Sequence, residues 1–416
     1  MTPPNFWALD PNIIFLNHGS FGSCPRPVLE CQQQWRERME RQPIQFFVRD
    51  LEGLLDEARS ALAEFLGAQP DNLVFVPNAT AGVNTVLNSL NFAPGDEIIV
   101  TDHEYNACRN ALDVMAERNG VRVATAKVPF PLRNKQQPEG WTPSVNKRQP
   151  EGWTPSVYER EIIGPILERI SDRTRLLLID HVTSQTGLIF PLERLLREFS
   201  SRGIDTLVDG AHAPGMIPLN LEQLGAAYYT GNCHKWICAP KGAGFLYARP
   251  DRQGDLRPLS ISHGANSPRT DRSPYLIEFG WTGTWDPSAY LSVPEAIRQM
   301  GGLFPGGWPE LMRRNRDLAL QARRILCAAL QIPPPCPDEM IGSLAAFPLP
   351  DAETIEPPRS PLYLDPLQDR LLAKHAIEVP IIPWPAAPHR VLRISAQAYN
   401  SPSQYEQLAC ALKQLL

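Results

Sequence analysis

From about Asp50 to Tyr247 the chain alternates between apolar stripes at helical spacing and short apolar runs, and this alternation constrains the fold more than any single motif. The runs Leu73 to Val76, Glu97 to Val100, Val121 to Ala126, Arg175 to Ile179, Asp205 to Val208, Ala226 to Thr230 and Ala243 to Tyr247 read as strands. Between them lie helical patterns. The first helix, residues 50 to 66, carries Leu51, Leu54, Leu55, Ala58 and Leu62 on one stripe and closes at Gly67. Strands alternating with helices predict a doubly wound, mostly parallel seven-stranded α/β sheet covered on both faces. In such a sheet the ligand lies beyond the carboxyl ends of the strands, here Asn78-Ala79-Thr80, Thr101-Asp102-His103, Asp180-His181, Asp209-Gly210 and Gly231-Asn232.

The 416 residues divide into an N-terminal segment (1–22), a large domain (23–265) and a smaller α+β C-terminal domain (266–416). The last contains a helical pattern from Trp308 to Ala329 and a final helix from Ser403 to Leu416. Its loops are proline-rich, since many of the 43 prolines fall at Pro333 to Pro335, Pro357 to Pro366 and Pro380 to Pro388. Residues 137 to 145 recur at 149 to 157, a tandem duplication that reads as a surface insertion.

A net charge of −5 gives no electrostatic footprint for nucleic acid or an anionic membrane. Charged residues at 20% and a mean hydropathy of −0.26 describe a soluble globular chain with no apolar window long enough to span a bilayer. The eight cysteines are scattered without metal-finger spacing, which reads as reduced thiols and no metal site. The first ten residues lack a basic and then apolar leader pattern, so the expected location is the cytoplasm.

Three strand ends carry chemistry together. Tyr228 to Trp236 runs a strand into His234-Lys235, and a lysine there can hold a carbonyl cofactor through its amine if burial disfavours the ammonium. Asp209, 26 residues earlier and just past a buried strand, could pair with a protonated pyridine nitrogen, or simply cap a helix. Asn78 to Asn84 joins a strand to a helix whose first amides, at Ala79 and Thr80, form an anion site for a phosphate. Phosphate cradle, pyridinium carboxylate and lysine, in this order on one sheet, point jointly to pyridoxal 5′-phosphate.

The sequence resembles the class V aminotransferase superfamily of fold type I, and within it the isopenicillin N epimerase branch. The likeness rests on Leu16 to Gly22 (LNHGSFG), Thr101 to Asn106 (TDHEYN), His181 to Gly187 (HVTSQTG), Tyr228 to Trp236 and Phe279 to Thr284 (FGWTGT). It implies a fold type I PLP-dependent transferase-like architecture, a homodimer with a shared active site and a pyridoxal phosphate cofactor.

Carried across by position, the resemblance makes Lys235 the Schiff-base lysine and Asp209 the partner of the pyridine nitrogen. His234 and Thr80 become phosphate ligands, and His103 an imidazole over the ring face opposite the lysine. His212 stands for a glutamine that bonds the cofactor's phenolic oxygen, or is a plain helix-start histidine. Asn232 and Ser184 occupy cofactor positions where many relatives carry serine and asparagine. Gly283 and Thr284 resemble the segment that reaches the partner's phosphate.

Arg393, in Val391 to Asn400, matches the arginine that clamps a substrate α-carboxylate. Asn17 and His18 either line the mouth of the site or cap the N-terminal segment. The segment Val379 to Arg390, where desulfurases carry a nucleophilic cysteine, has none, and Cys336 lies over 50 residues upstream of Arg393. The resemblance therefore implies a substrate that is an amino acid or a peptide with a free amino group. Its α-carbon is epimerised with Lys235 serving one face and His103 the other, while a carbon–sulfur β-lyase is the alternative.

Overall fold

In the computed structural model, which describes residues 5–132, 157–352, 362 and 365–416, the seven apolar runs form one sheet. Its strands are β1 (Leu73–Val76), β2 (Glu97–Thr101), β3 (Arg122–Ala126), β4 (Thr174–Asp180), β5 (Asp205–Asp209), β6 (Tyr228–Asn232) and β7 (Gly244–Ala248). Their order across the sheet is β1-β7-β6-β5-β4-β2-β3. All neighbours are parallel except the two pairs made by β7, so β7 alone runs against the rest. Strands β2, β5, β6 and β7 are almost wholly buried, as a sheet covered on both faces requires. The duplicated stretch lies outside the described residues up to Val157, where the helix Val157–Leu167 begins.

The covering helices follow from their apolar stripes and stop signals. Helix α1 spans Arg26–Arg41, and α2 (Leu51–Leu66) buries Leu51, Leu55, Ala58, Leu62 and Leu66 and ends on Gly67 in the left-handed region, φ 62°. One wider-wound stretch, Gln45–Asp50, precedes α2. Helix α3 (Ala79–Ser89) packs against β6 and β7, and α4 (Asn106–Asn119) against α3. Gly82 is what lets α3 lie so close: a Cβ there would come within 2.0 Å of the Thr230 hydroxyl on β6.

A second, antiparallel sheet of order β9-β10-β8 is formed by β8 (Leu344–Leu349), β9 (Ile381–Pro383) and β10 (Arg390–Ser395). Two helices, Gly307–Leu330 and Pro402–Leu415, pack against each other, the first also against β8. Prolines fall where they cost no ladder bond, Pro366 and Pro402 opening helices and Pro383 on edge strand β9. The N-terminal segment is tied to this part of the chain. Ile14–Phe15 pairs in parallel with Ile377–Glu378, and the Leu16 carbonyl accepts from the Ser395 amide at 2.9 Å. Six strands thus point their carboxyl ends to one edge, where β10 and the N-terminal segment close over them. Among the described residues no helix is long and apolar enough to cross a membrane.

Candidate active site

Lys235 follows the end of β6, and its amine meets His212 Nε2 at 3.1 Å. The indole N–H of Trp236 donates to His212 Nδ1 at 3.4 Å. Burial and the cations around it hold His212 well below the ordinary histidine range, so the ring is neutral and its one proton sits on Nε2. That N–H faces Lys235 and pairs with the amine's lone pair once the amine is uncharged. Burial lowers the Lys235 amine to about 8 against the opposing pull of Asp209, and Arg393 adds to the lowering. The chain itself therefore brings the amine toward neutrality, so that an uncharged fraction is available near neutral pH for the covalent chemistry.

Asp209 ends β5 and is 2% exposed. Its Oδ1 accepts from the Ala211 amide at 2.9 Å and its Oδ2 from the Cys108 thiol at 3.2 Å. At the neighbouring strand end, the Asn78 side chain caps α3 by accepting from Ala81 at 2.9 Å. Asn232 Oδ1 accepts from the Ala79 amide at 2.8 Å, which commits that oxygen to holding the helix start against β6. Thr80 is left half-buried at the first turn of α3. His234 bonds the Ala243 carbonyl through Nδ1 at 3.0 Å and is lowered to about 4, first by burial and then by Lys235.

Arg393, on β10, is 3% exposed. It donates to the Ser184 carbonyl at 2.5 Å and the Ser20 hydroxyl at 2.8 Å, while its Nε has no partner. Among the described residues no carboxylate pairs with it, and burial lowers it to about 10. A buried guanidinium held only by neutral oxygens is costly unless it receives an anion. Ser184 therefore serves the arginine, and Ser20, which sequence reasoning passed over inside the LNHGSFG motif, does the same.

Asn17 and His18 take the second of their two expected roles, holding the N-terminal segment, and His103 is enclosed at its strand end. His18 is fully buried behind the lysine and away from the mouth, donating from Nε2 to the Lys235 carbonyl at 3.0 Å and bonded at Nδ1 to Tyr399 at 2.9 Å. Asn17 is spent on Glu378 at 3.1 Å and Ser20 at 2.5 Å. His103 has both ring nitrogens engaged, Nδ1 with Thr186 at 2.8 Å and Nε2 with the Val128 carbonyl at 3.0 Å, and its ring packs 4.7 Å from that of Trp384. A side chain that covers a ring in the chamber has to present surface to it, and His103 presents none.

The aromatic group that does present surface is Tyr105, two residues on, which sequence reasoning did not single out. It stands at the N-cap of α4, 37% exposed, one turn before Cys108, which bonds Asp209. Burial, Cys108 and Asp209 raise its phenol while Arg393 lowers it, which places it among the groups of the chamber. Gly283, with φ 114°, and the exposed Thr284 make no hydrogen bond to the other site residues of this protomer among the described residues. The close approach of the N-terminal segment needs Gly22, where φ is 70° and a Cβ would meet the His234 carbonyl at 2.0 Å.

The family model described as aminotransferase class-V matches residues 24–134 and 157–280. An isopenicillin N epimerase of Amycolatopsis lactamdurans is 36% identical over 98% of this chain and 96% of its own length. A probable chloroplastic L-cysteine desulfhydrase of Arabidopsis thaliana is 29% identical over 98% of this chain and 84% of its own. Among solved structures, the cystine C–S lyase C-DES in complex with its product cysteine persulfide superposes with a TM-score of 0.73 at 21% identity, covering 97% of each chain.

Proposed function

Since the chain belongs to the aminotransferase class-V family, we propose that it is a pyridoxal-phosphate enzyme that inverts the α-carbon of an amino acid, or of a peptide with a free amino group. The observation that carries the substrate class is the buried Arg393, which has hydrogen-bond partners but no counter-ion and receives the α-carboxylate in a bidentate grip. The residues present fit the cofactor. Thr80, in the first turn of α3 between the committed amides of Ala79 and Ala81, suits a phosphate together with His234, Asp209 suits a protonated ring nitrogen, and Lys235 presents an amine lowered to about 8. When bound, the cofactor supplies the electron sink that makes the α-proton acidic.

Every other part of the work falls to the chain. Asp209 holds the ring-nitrogen proton, His212 orients the Lys235 amine, and burial lowers it. Lys235 moves the α-proton on one face. On the other face we assign the proton to the Tyr105 phenol instead of His103, because Tyr105 keeps exposed surface and acts on Asp209 and Arg393, whereas His103 is fully buried with both ring nitrogens bonded. Gly283 and Thr284 reach the phosphate of a second copy, so the complete site belongs to a homodimer working in the cytoplasm.

Tyr105→Phe should lower inversion at least ~10²-fold while α-hydrogen exchange of one enantiomer through Lys235 continues. Equal loss of inversion and exchange would leave Tyr105 with packing alone. A panel of D- and L-amino acids followed by chiral chromatography tests the reaction class. A specific observation favours elimination as the second reading. A β-lyase needs only the Lys235 face and no catalytic thiol, and the desulfhydrase relative spans nearly the whole chain. Sulfide from cysteine with no inverted product would select it.

A further inference from the structure

The floor of the chamber holds more acid than the chemistry above uses. Asp180 closes β4 and Asp209 closes β5, and the two are register partners on adjacent parallel strands. Their side chains lie on the same face of the sheet as Cys108, and Glu104 joins them from the turn between β2 and α4. Glu104 is 6% exposed and Asp180 2%.

Asp209 is satisfied by donors, but neither carboxylate oxygen of Glu104 has one, nor has Asp180 Oδ2. Yet the Glu104 and Asp180 carboxyls lie close enough for each to act directly on the other's proton. Two carboxylates cannot bond, because neither donates; a carboxyl and a carboxylate can.

We propose that Glu104 and Asp180 share one proton and act behind Asp209 as a unit of single negative charge, positioning residues that help keep the cofactor's ring nitrogen protonated. The surroundings agree. Burial and the negative charge of Asp209 push both groups well above the usual carboxylate range. The cation that acts on Glu104, Arg109, is already bonded to Asp113 and Thr125. Cys108, itself raised by burial and by all three acids, stays a thiol donor, and Tyr229 beside Asp209 stays a neutral phenol. Lys235 is the other cation that feels Asp180. With both members ionised, three adjacent anions would repel one another beneath the ring. The inference rests on the bound cofactor and is indifferent to whether the reaction is inversion or elimination.

The test is a pH titration of the visible absorption of the holoenzyme, compared with Glu104→Gln, Asp180→Asn and the double variant. A pair with one shared proton carries one charge, and each single amide leaves one carboxylate carrying it. Each single variant should therefore keep the wild-type midpoint, and the double should lower it by about one pH unit. Stepwise lowering by each single variant would show two ionised carboxylates and overturn the proposal. No movement even in the double would do so as well.

Should the amides fail to fold, infrared spectra of the wild-type holoenzyme at neutral pH decide. A buried carboxylic-acid carbonyl band is required, and its absence contradicts the shared proton. Glu104, Cys108 and Asp209 also place ligand atoms within 4.8 Å of one another. One equivalent of zinc retained through desalting and lost in Glu104→Gln would likewise overturn the proposal, because an ion would then supply the positive charge.

Discussion

Lys235→Ala is expected to fold, to retain no covalently held cofactor, and to turn over at least ~10³-fold more slowly than the wild type. The fold survives because Lys235 lies at a strand end, and its amine bonds only the His212 imidazole. The cofactor-free variant should even be the more stable at neutral pH. The Lys235 amine is lowered from 10.5 to about 8 in the folded chain, so the unfolded chain binds the extra proton between those values. Wild-type stability consequently carries a penalty below pH 8 that is relieved as pH rises from 8 to 10.5. The shift caps that penalty at about 3 kcal/mol, less what the lysine stem loses in packing. Thermal unfolding of both apoproteins from pH 7 to 10.5 reads it directly: the gap should narrow with pH, and a constant gap would contradict the lowered amine.

Asp209→Asn should keep some cofactor and lose about 10²- to 10³-fold in turnover. An amide is the right shape for the site: its oxygen can still accept from the Ala211 amide, while its NH2 group faces the Cys108 sulfur as a donor. What it cannot do is hold a proton on a pyridine nitrogen by charge. Because Asp209 is the foremost group raising Lys235, the same substitution should drive the lysine amine lower still. Unchanged turnover in a folded Asp209→Asn enzyme would remove the basis for its role.

The large sheet was legible because its strands are buried on both faces and read as unbroken apolar runs. β1 and β7 fall within a residue of their runs, and the helix expected over 50 to 66 is α2. Lys235 and Asp209 were legible for a related reason, since strand ends in a parallel sheet converge wherever the strands lie in sequence. The small sheet was harder, because its strands lie between prolines and its third member, β8, is distant in sequence from the other two.

His103 shows where linear reading stops. It sits at a strand end as expected, but Thr186, Val128 and Trp384, all remote in sequence, surround its ring and seal it from the chamber. Tyr105 carried no signal apart from its place in the TDHEYN motif. The pairing of Asp180 with Asp209 depends on strand register, which no spacing along the chain encodes.

The most direct measurement is incubation of the enzyme with a single enantiomer of an accepted amino acid in deuterated water, followed by chiral separation and mass analysis. With Lys235 on one face of the α-carbon and Tyr105 on the other, α-deuterium should appear in both enantiomers, with the side chain intact. Release of pyruvate with ammonia or sulfide, and no inverted product, would contradict the account.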